Sequence, residues 1–189
     1  MSNSVLSGFL FAAILLLVNL ATTIFYIIVL RDKSRMKTFF DLPVLLQKSF
    51  VILFVGPLVL SPFIPQFRLD MPLSFAVPIG AILIAEGFLM ILFSFLKIGV
   101  VPSLRKATGL MTSGTYGVVR HPIYSGTLSV FLGLAVSLNA LVSLFYFPIS
   151  VLLYYLMTVY EEKGLLEAYP NEYRLYQTRV RGRIIPFVL

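Results

Sequence analysis

The sequence predicts an all-α integral membrane protein with five transmembrane helices, the last two joined as a helical hairpin. Three observations predict it. Of the 189 residues, 59% are apolar and only 12% charged, whereas a soluble domain of this length carries about 45–50% apolar and about 25% charged residues. Uncharged or nearly uncharged runs recur that are long enough to cross about 30 Å of hydrocarbon. The Lys and Arg residues gather in alternate connectors between those runs. With no cysteine, the chain has no disulfide, thiolate nucleophile or cysteine-ligated metal. A single histidine, His121, rules out a multi-histidine centre, so no metal is expected.

The first span is Ser4 to Leu30, free of charge and preceded by no basic residue. The cluster Arg31, Lys33, Arg35 and Lys37 follows it, which marks a membrane helix rather than a cleaved signal. The second, Leu42 to Leu60, is interrupted only by Lys48 and ends in a proline-rich stretch from Pro57 to Pro65. The third runs from about Pro72 to Leu96 with Glu86 as its one charge. Pro122 to Tyr160 is 39 residues without Lys, Arg, Asp or Glu, too long for one helix and right for two. Its turn belongs near Leu138-Asn139-Ala140, where Asn is the turn-tolerant residue. The chain thus divides, as one membrane domain over 1–189, into three scaffold spans (1–96), a connector (97–121), the hairpin (122–160) and an amphipathic C-terminal segment (161–189).

Basic residues alternate between the connectors: four from Arg31 to Lys37, one at Arg68, four from Lys97 to Arg120, none at the hairpin turn and five from Lys163 to Arg183. The positive-inside tendency then places the N-terminus outside and both the 97–121 connector and the C-terminal segment in the cytoplasm. The same residues read as contacts to membrane lipid headgroups, and no nucleic-acid partner is expected.

Polar residues concentrate in those two cytoplasmic segments, and a helical hairpin returns its ends, His121 and Glu161, to one membrane surface. Gly109, Gly114 and Gly117 either punctuate an ordinary surface loop or let backbone N–H groups wrap a small polar molecule. Pro122 suits the first turn of the fourth helix, with His121 at its cap, where the free N–H groups favour a carboxylate. Leu165, Tyr169, Tyr173, Tyr176 and Val180 recur at helical steps, and their apolar face is expected to lie at the membrane interface. Pro170 should break that helix. Adjacent Glu161 and Glu162 cannot point the same way from a helix, so they are either a solvated end or one exposed and one buried carboxylate. A buried one needs a cationic ligand or a basic connector residue. Glu86 inside a span is either paired structurally or lines a path for an acceptor. Asn19 reads as an interhelical hydrogen bond.

The run Gly114-x-Tyr116-x-x-x-Arg120-His121-Pro122-x-Tyr124-x-Gly126, the charge-free hairpin, Glu161-Glu162, Tyr173-x-x-Tyr176 and Arg183-Ile-Ile-Pro186 together resemble the isoprenylcysteine carboxyl methyltransferase and phospholipid methyltransferase superfamily. The resemblance covers about Gly109 to Pro186. It implies a methyltransferase that uses S-adenosylmethionine in a pocket formed by the connector and the C-terminal segment. The cofactor contacts it implies fall on Leu110, Tyr116, His121, Pro122, Tyr124 and Glu161, with backbone contacts at Val101, Thr108, Gly109, Met111 and Ile123. His121, Arg120, Glu161 and Glu162 are the candidate catalytic residues. The implied acceptor is a lipophilic small molecule or lipidated group, either a prenylcysteine-type carboxylate or a phospholipid amine. Members that methylate prenylcysteine carry an arginine four residues before the glutamate that contacts the cofactor, where this chain has Met157.

An amine acceptor must lose a proton, which makes His121 or one of the two glutamates a candidate base. The rival enzyme is an NADPH-dependent membrane sterol or steroid reductase, which shares an Arg-His-Pro-x-Tyr stretch. Its cofactor phosphate calls for basic residues near the end of the last span, and Met157 to Tyr160 is uncharged. A transporter would show more polar residues within its spans or an inverted repeat.

Overall fold

The computed structural model describes residues 3–98 and 109–186. The described residues are helical apart from turns and one isolated antiparallel bridge between Arg68 and Ala140. The helices are α1 (Asn3–Leu30), α2 (Lys33–Asp41), α3 (Val44–Leu60), α4 (Leu73–Ile98), α5 (Pro122–Ser137), α6 (Leu141–Ala168) and α7 (Pro170–Arg179). Four of them, α1, α3, α4 and α6, are long and apolar enough to cross a membrane. The fifth expected span, α5, is apolar but has 16 residues, about 24 Å at 1.5 Å per residue. Leu10, Leu45, Ile52, Phe75 and Ile82 are exposed on the outer surfaces, as a protein whose solvent is lipid requires.

One helix was not foreseen. Residues of the first basic cluster, expected as a connector, form α2. Asp32 caps it by accepting from Ser34 N at 2.7 Å and Arg35 N at 3.2 Å. The second span accordingly starts at Val44 rather than Leu42.

At one end of the bundle the 61–72 loop meets the α5–α6 turn. Asn139 adopts φ 52° there, a left-handed conformation that asparagine tolerates. Leu69 N donates to Asn139 O at 2.8 Å and Leu141 N to Phe67 O at 3.1 Å. The guanidinium of Arg68, the lone basic residue of this end, donates to the carbonyls of Pro62, Ile64 and Leu138. Ala140 has no side chain with which to cap α6. Gln66 does so from outside the helix, its Oε1 accepting from Val142 N and Ser143 N. Gly8 lies so close to Pro65 that any side chain would collide with its carbonyl.

Helices α4 and α5 pack along a glycine seam. A Cβ on Gly87 would lie 2.5 Å from Gly126 O, and one on Gly80 2.5 Å from Gly133 O. In a bilayer, where the hydrophobic effect gives little drive for helices to associate, such close approach supplies the packing. Asn19 Nδ2 of α1 donates to Phe54 O of α3 at 2.7 Å. The core runs through the bundle as Phe54, Leu58, Leu128, Phe131, Tyr146, Tyr154, Met157 and Ile184. Met157 is 1% exposed.

Candidate active site

The end of the bundle opposite the Arg68 loop carries the polar groups. Segment 109–121 crosses it and enters α5, whose first residue is Pro122, a position with no helical N–H partner to lose. The chain after α7 returns across segment 109–121 as a strap. Arg120 N donates to Gly182 O at 3.0 Å, and His121 N to Arg183 O at 2.8 Å. Ser125 Oγ donates to Ile184 O.

At the crossing lies a buried ionic cluster. Glu162 is 2% exposed. Its Oε1 accepts from Arg120 Nε at 2.8 Å and lies 3.3 Å from His121 Nε2. Its Oε2 accepts from Gln177 Nε2 at 3.0 Å and lies 3.2 Å from Arg183 Nε. A carboxylate offers about four lone-pair sites, and these four groups occupy them. Arg120 donates through Nη1 to Val180 O at 2.6 Å and to Arg181 O at 2.7 Å. Its fork therefore ties together α6 and the strap.

His121 links this cluster to Glu161. Its Nδ1 lies 3.3 Å from Glu161 Oε2, and its ring stacks on Tyr124 with centroids 5.7 Å apart. Tyr124 OH donates to Glu161 Oε1 at 2.6 Å, and the Tyr26 hydroxyl of α1 lies near the same carboxylate. Burial by itself lowers the pKa of His121. The hydrogen bonds and negative charges of Glu161 and Glu162 outweigh that and hold it above its ordinary value. The two glutamates diverge from the helix axis as expected, yet both reach the same imidazole. Glu161 is the more open, its side chain 20% exposed against 3% for Glu162.

Tyr116 of segment 109–117 lies within electrostatic reach of Glu161. Gly109 (φ 79°) and Gly114 (φ 68°) take left-handed conformations suited to glycine. A Cβ on Gly109 would meet nothing within 4 Å. Tyr116 lies in a 3-10 turn over Gly114–Gly117. Its carbonyl accepts from Tyr176 OH at 2.6 Å, and burial raises its phenol pKa.

Among the candidate residues, Arg120, His121, Tyr124, Glu161 and Glu162 thus come together, with Pro122 and Ile123 opening α5 beneath them. Leu110 packs against Tyr173, Tyr176 and Val180. Gly109 is exposed and Met111 half-buried. Val101 and Thr108 fall outside the described residues. The tyrosine stripe corrects the sequence expectation: Tyr173 and Tyr176 are buried against segment 109–117 and α6 instead of lying at the membrane interface. The apolar face of α7 finds a protein partner because the strap folds it back. Gln177 was not singled out from the sequence, and Arg183 appeared there only within a motif. Neither bore a local mark of pairing with Glu162. Glu86 is exposed on α4 and accepts from Ser129 Oγ. Among the described residues, no group of three or more His, Asp or Glu is disposed to hold a metal.

A bundle of lipid-facing helices, closed at one end by a histidine and paired glutamates beneath a glycine-rich segment, defines a membrane enzyme with its polar chemistry at the membrane surface. The family model for phospholipid methyltransferases matches residues 75–172, a stretch containing Arg120, His121, Tyr124, Glu161 and Glu162. The chain belongs to the phospholipid methyltransferase family and is a membrane methyltransferase. A comparison with curated proteins found no match.

Proposed function

We propose that the protein transfers the methyl group of S-adenosylmethionine to the amine of a membrane phospholipid at the Glu161 end of the bundle. The carrying observation is the asymmetry of the two glutamates. Glu162 is saturated by its protein partners, whereas Glu161 has Tyr124 and His121 at hydrogen-bonding or ion-pair distance and the Tyr26 hydroxyl nearby, and its side chain stays 20% exposed. The residues fit the cofactor. Glu161 matches its ammonium or ribose hydroxyls, Tyr116 offers a half-buried ring, and the open space at Gly109 admits a ligand against the backbone. Leu110, Met111, Pro122 and Ile123 are assigned as the apolar surroundings and backbone that would bound the cofactor there.

When bound, S-adenosylmethionine supplies a methyl group already attached to its leaving group, so alignment and water exclusion are the protein's main tasks. Glu161 holds a positive group, and Tyr124 fixes its Oε1. His121 has both ring nitrogens against carboxylates, which makes it a positioning residue for Glu161 rather than a base. Arg120 and Glu162 hold His121 in turn. Glu161 is left to take the proton that an ammonium acceptor must release.

An amine acceptor is favoured over a prenylcysteine carboxylate because Met157 lies in the apolar core among Phe54, Tyr154 and Ile184. Met157 therefore offers no cationic group with which an acceptor carboxylate could pair. The polar end is assigned to the cytoplasm because, among the described residues, every basic residue except Arg68 belongs to it, counting Lys48 with the first connector. All five apolar helices are assigned as spans, α5 crossing with its ends drawn toward the polar segments.

Purified protein in vesicles, given S-adenosylmethionine with a labelled methyl group, should label phosphatidylethanolamine and leave a prenylcysteine analogue unlabelled. Label on the analogue alone would move the acceptor to the carboxylate class. Label on neither would remove the proposal.

A further inference from the structure

A cavity of about 480 Å³ opens where α1 ends, between the start of α2 and the last turns of α6. On α6 it is lined by Tyr160, Lys163, Gly164 and Glu167; all four lie on the side of the helix away from Glu162, and Lys163 and Glu167 also face away from Glu161, at 100° per residue. Arg31 and Lys33 line it from the α1–α2 junction. Its charge is therefore three cations against one carboxylate, and that carboxylate is committed: Lys33 Nζ pairs with Glu167 Oε2 at 2.9 Å. Lys163 Nζ stands 4.9 Å over the Tyr160 ring. Neither Arg31 nor Lys163 has a carboxylate partner among the described residues.

Two further observations give the cavity its form. Gly164 lies inside α6, where glycine is about 0.5–1 kcal/mol less favourable than alanine. A Cβ there would meet nothing within 4 Å, so the missing side chain leaves room on the lined face. The walls also change character with depth. Leu30, Met36 and Ala168 are apolar, and Ile28 and Leu156, about a turn further along α1 and α6 toward the membrane, are exposed. An anionic group held by Arg31 and Lys163 would have its apolar remainder directed along lipid-facing helices.

We propose that this cavity binds the phosphate headgroup of an anionic membrane phospholipid, seated between α1, α2 and α6 about one turn of α6 beyond Glu161. A lipid, rather than free phosphate, fits the apolar floor and the position at the end of two membrane-length helices. The inference stands on the cavity and its charge and does not require the methyl-transfer reading.

Native mass spectrometry of the full chain, released from vesicles of equal phosphatidylglycerol and phosphatidylcholine, tests it. Wild type should retain one phosphatidylglycerol in preference to phosphatidylcholine. The double variant Arg31→Gln, Lys163→Gln should lower that preference at least about tenfold, as expected for loss of two basic headgroup contacts. Gly164→Leu, which fills the space without altering charge, should do the same while helicity by circular dichroism is unchanged. Equal retention of the two lipids, or retention in Gly164→Leu like that of wild type, would overturn the proposal. Displacement of the lipid by millimolar inorganic phosphate would overturn the lipid assignment.

Discussion

Glu161 and Glu162 are neighbours in sequence with opposite physical situations, and substitutions should separate them. Removing the Glu162 carboxylate leaves Arg120, Arg183 and His121 facing one another without their common anion. Glu162→Ala should therefore destabilise the fold by about 3–5 kcal/mol, the range for breaking a buried pair, read as a fall in thermal midpoint in detergent. Glu161→Gln keeps the shape and the Tyr124 contact and should leave that midpoint within a few degrees of wild type. His121 adds a pH signature. Its folded pKa is raised, so the stability it contributes is fully present below its unfolded value of about 6.5 and is lost as pH rises through the folded value. The unfolding free-energy difference between wild type and His121→Asn should shrink as pH is raised from about 6 through that interval. A difference that grows with pH would mean that His121 is held neutral.

At the scale of elements, the α4–α5 seam and the C-terminal strap make distinct claims. Gly87→Leu would drive a side chain into the Gly126 backbone and should cost about 1–3 kcal/mol, as overpacking does. The same change at Gly56, whose Cβ would meet nothing within 4 Å, should cost less. Truncation before Val180 removes the carbonyls that receive Arg120 and His121. It should abolish methyl transfer while circular dichroism still reports the helices of the bundle.

These elements were unequally legible. The long apolar helices and the Pro170 break could be read because hydropathy and proline act locally. The tie of Gln177, Arg183 and the strap carbonyls to residues 120 and 162 joins positions far apart in sequence, which no periodicity reveals. Helix α2 was hidden by its charge, although Asp32 carried a capping signal two and three residues before the N–H groups it receives. The tyrosine spacing correctly marked an apolar face, but spacing cannot say whether lipid or protein covers it.

Across the whole molecule, the two bundle ends should lie on opposite sides of the membrane. The chain contains no cysteine, so single introduced cysteines report topology cleanly. Glu172→Cys should react with an impermeant reagent only from the cytoplasmic side, and Asp70→Cys only from the other. Both sites reacting from one side would reject the arrangement in which Arg68 and the hairpin turn close the far end.

The separation of roles between the two glutamates meets its most direct test in methyl transfer itself. With labelled S-adenosylmethionine and phosphatidylethanolamine vesicles, Glu161→Gln should lower kcat by about 10²-fold, the scale of losing a positioned base, with its thermal midpoint kept. A Glu161→Gln protein that transfers methyl groups at the wild-type rate would contradict the assignment of this carboxylate as the group that does the chemistry.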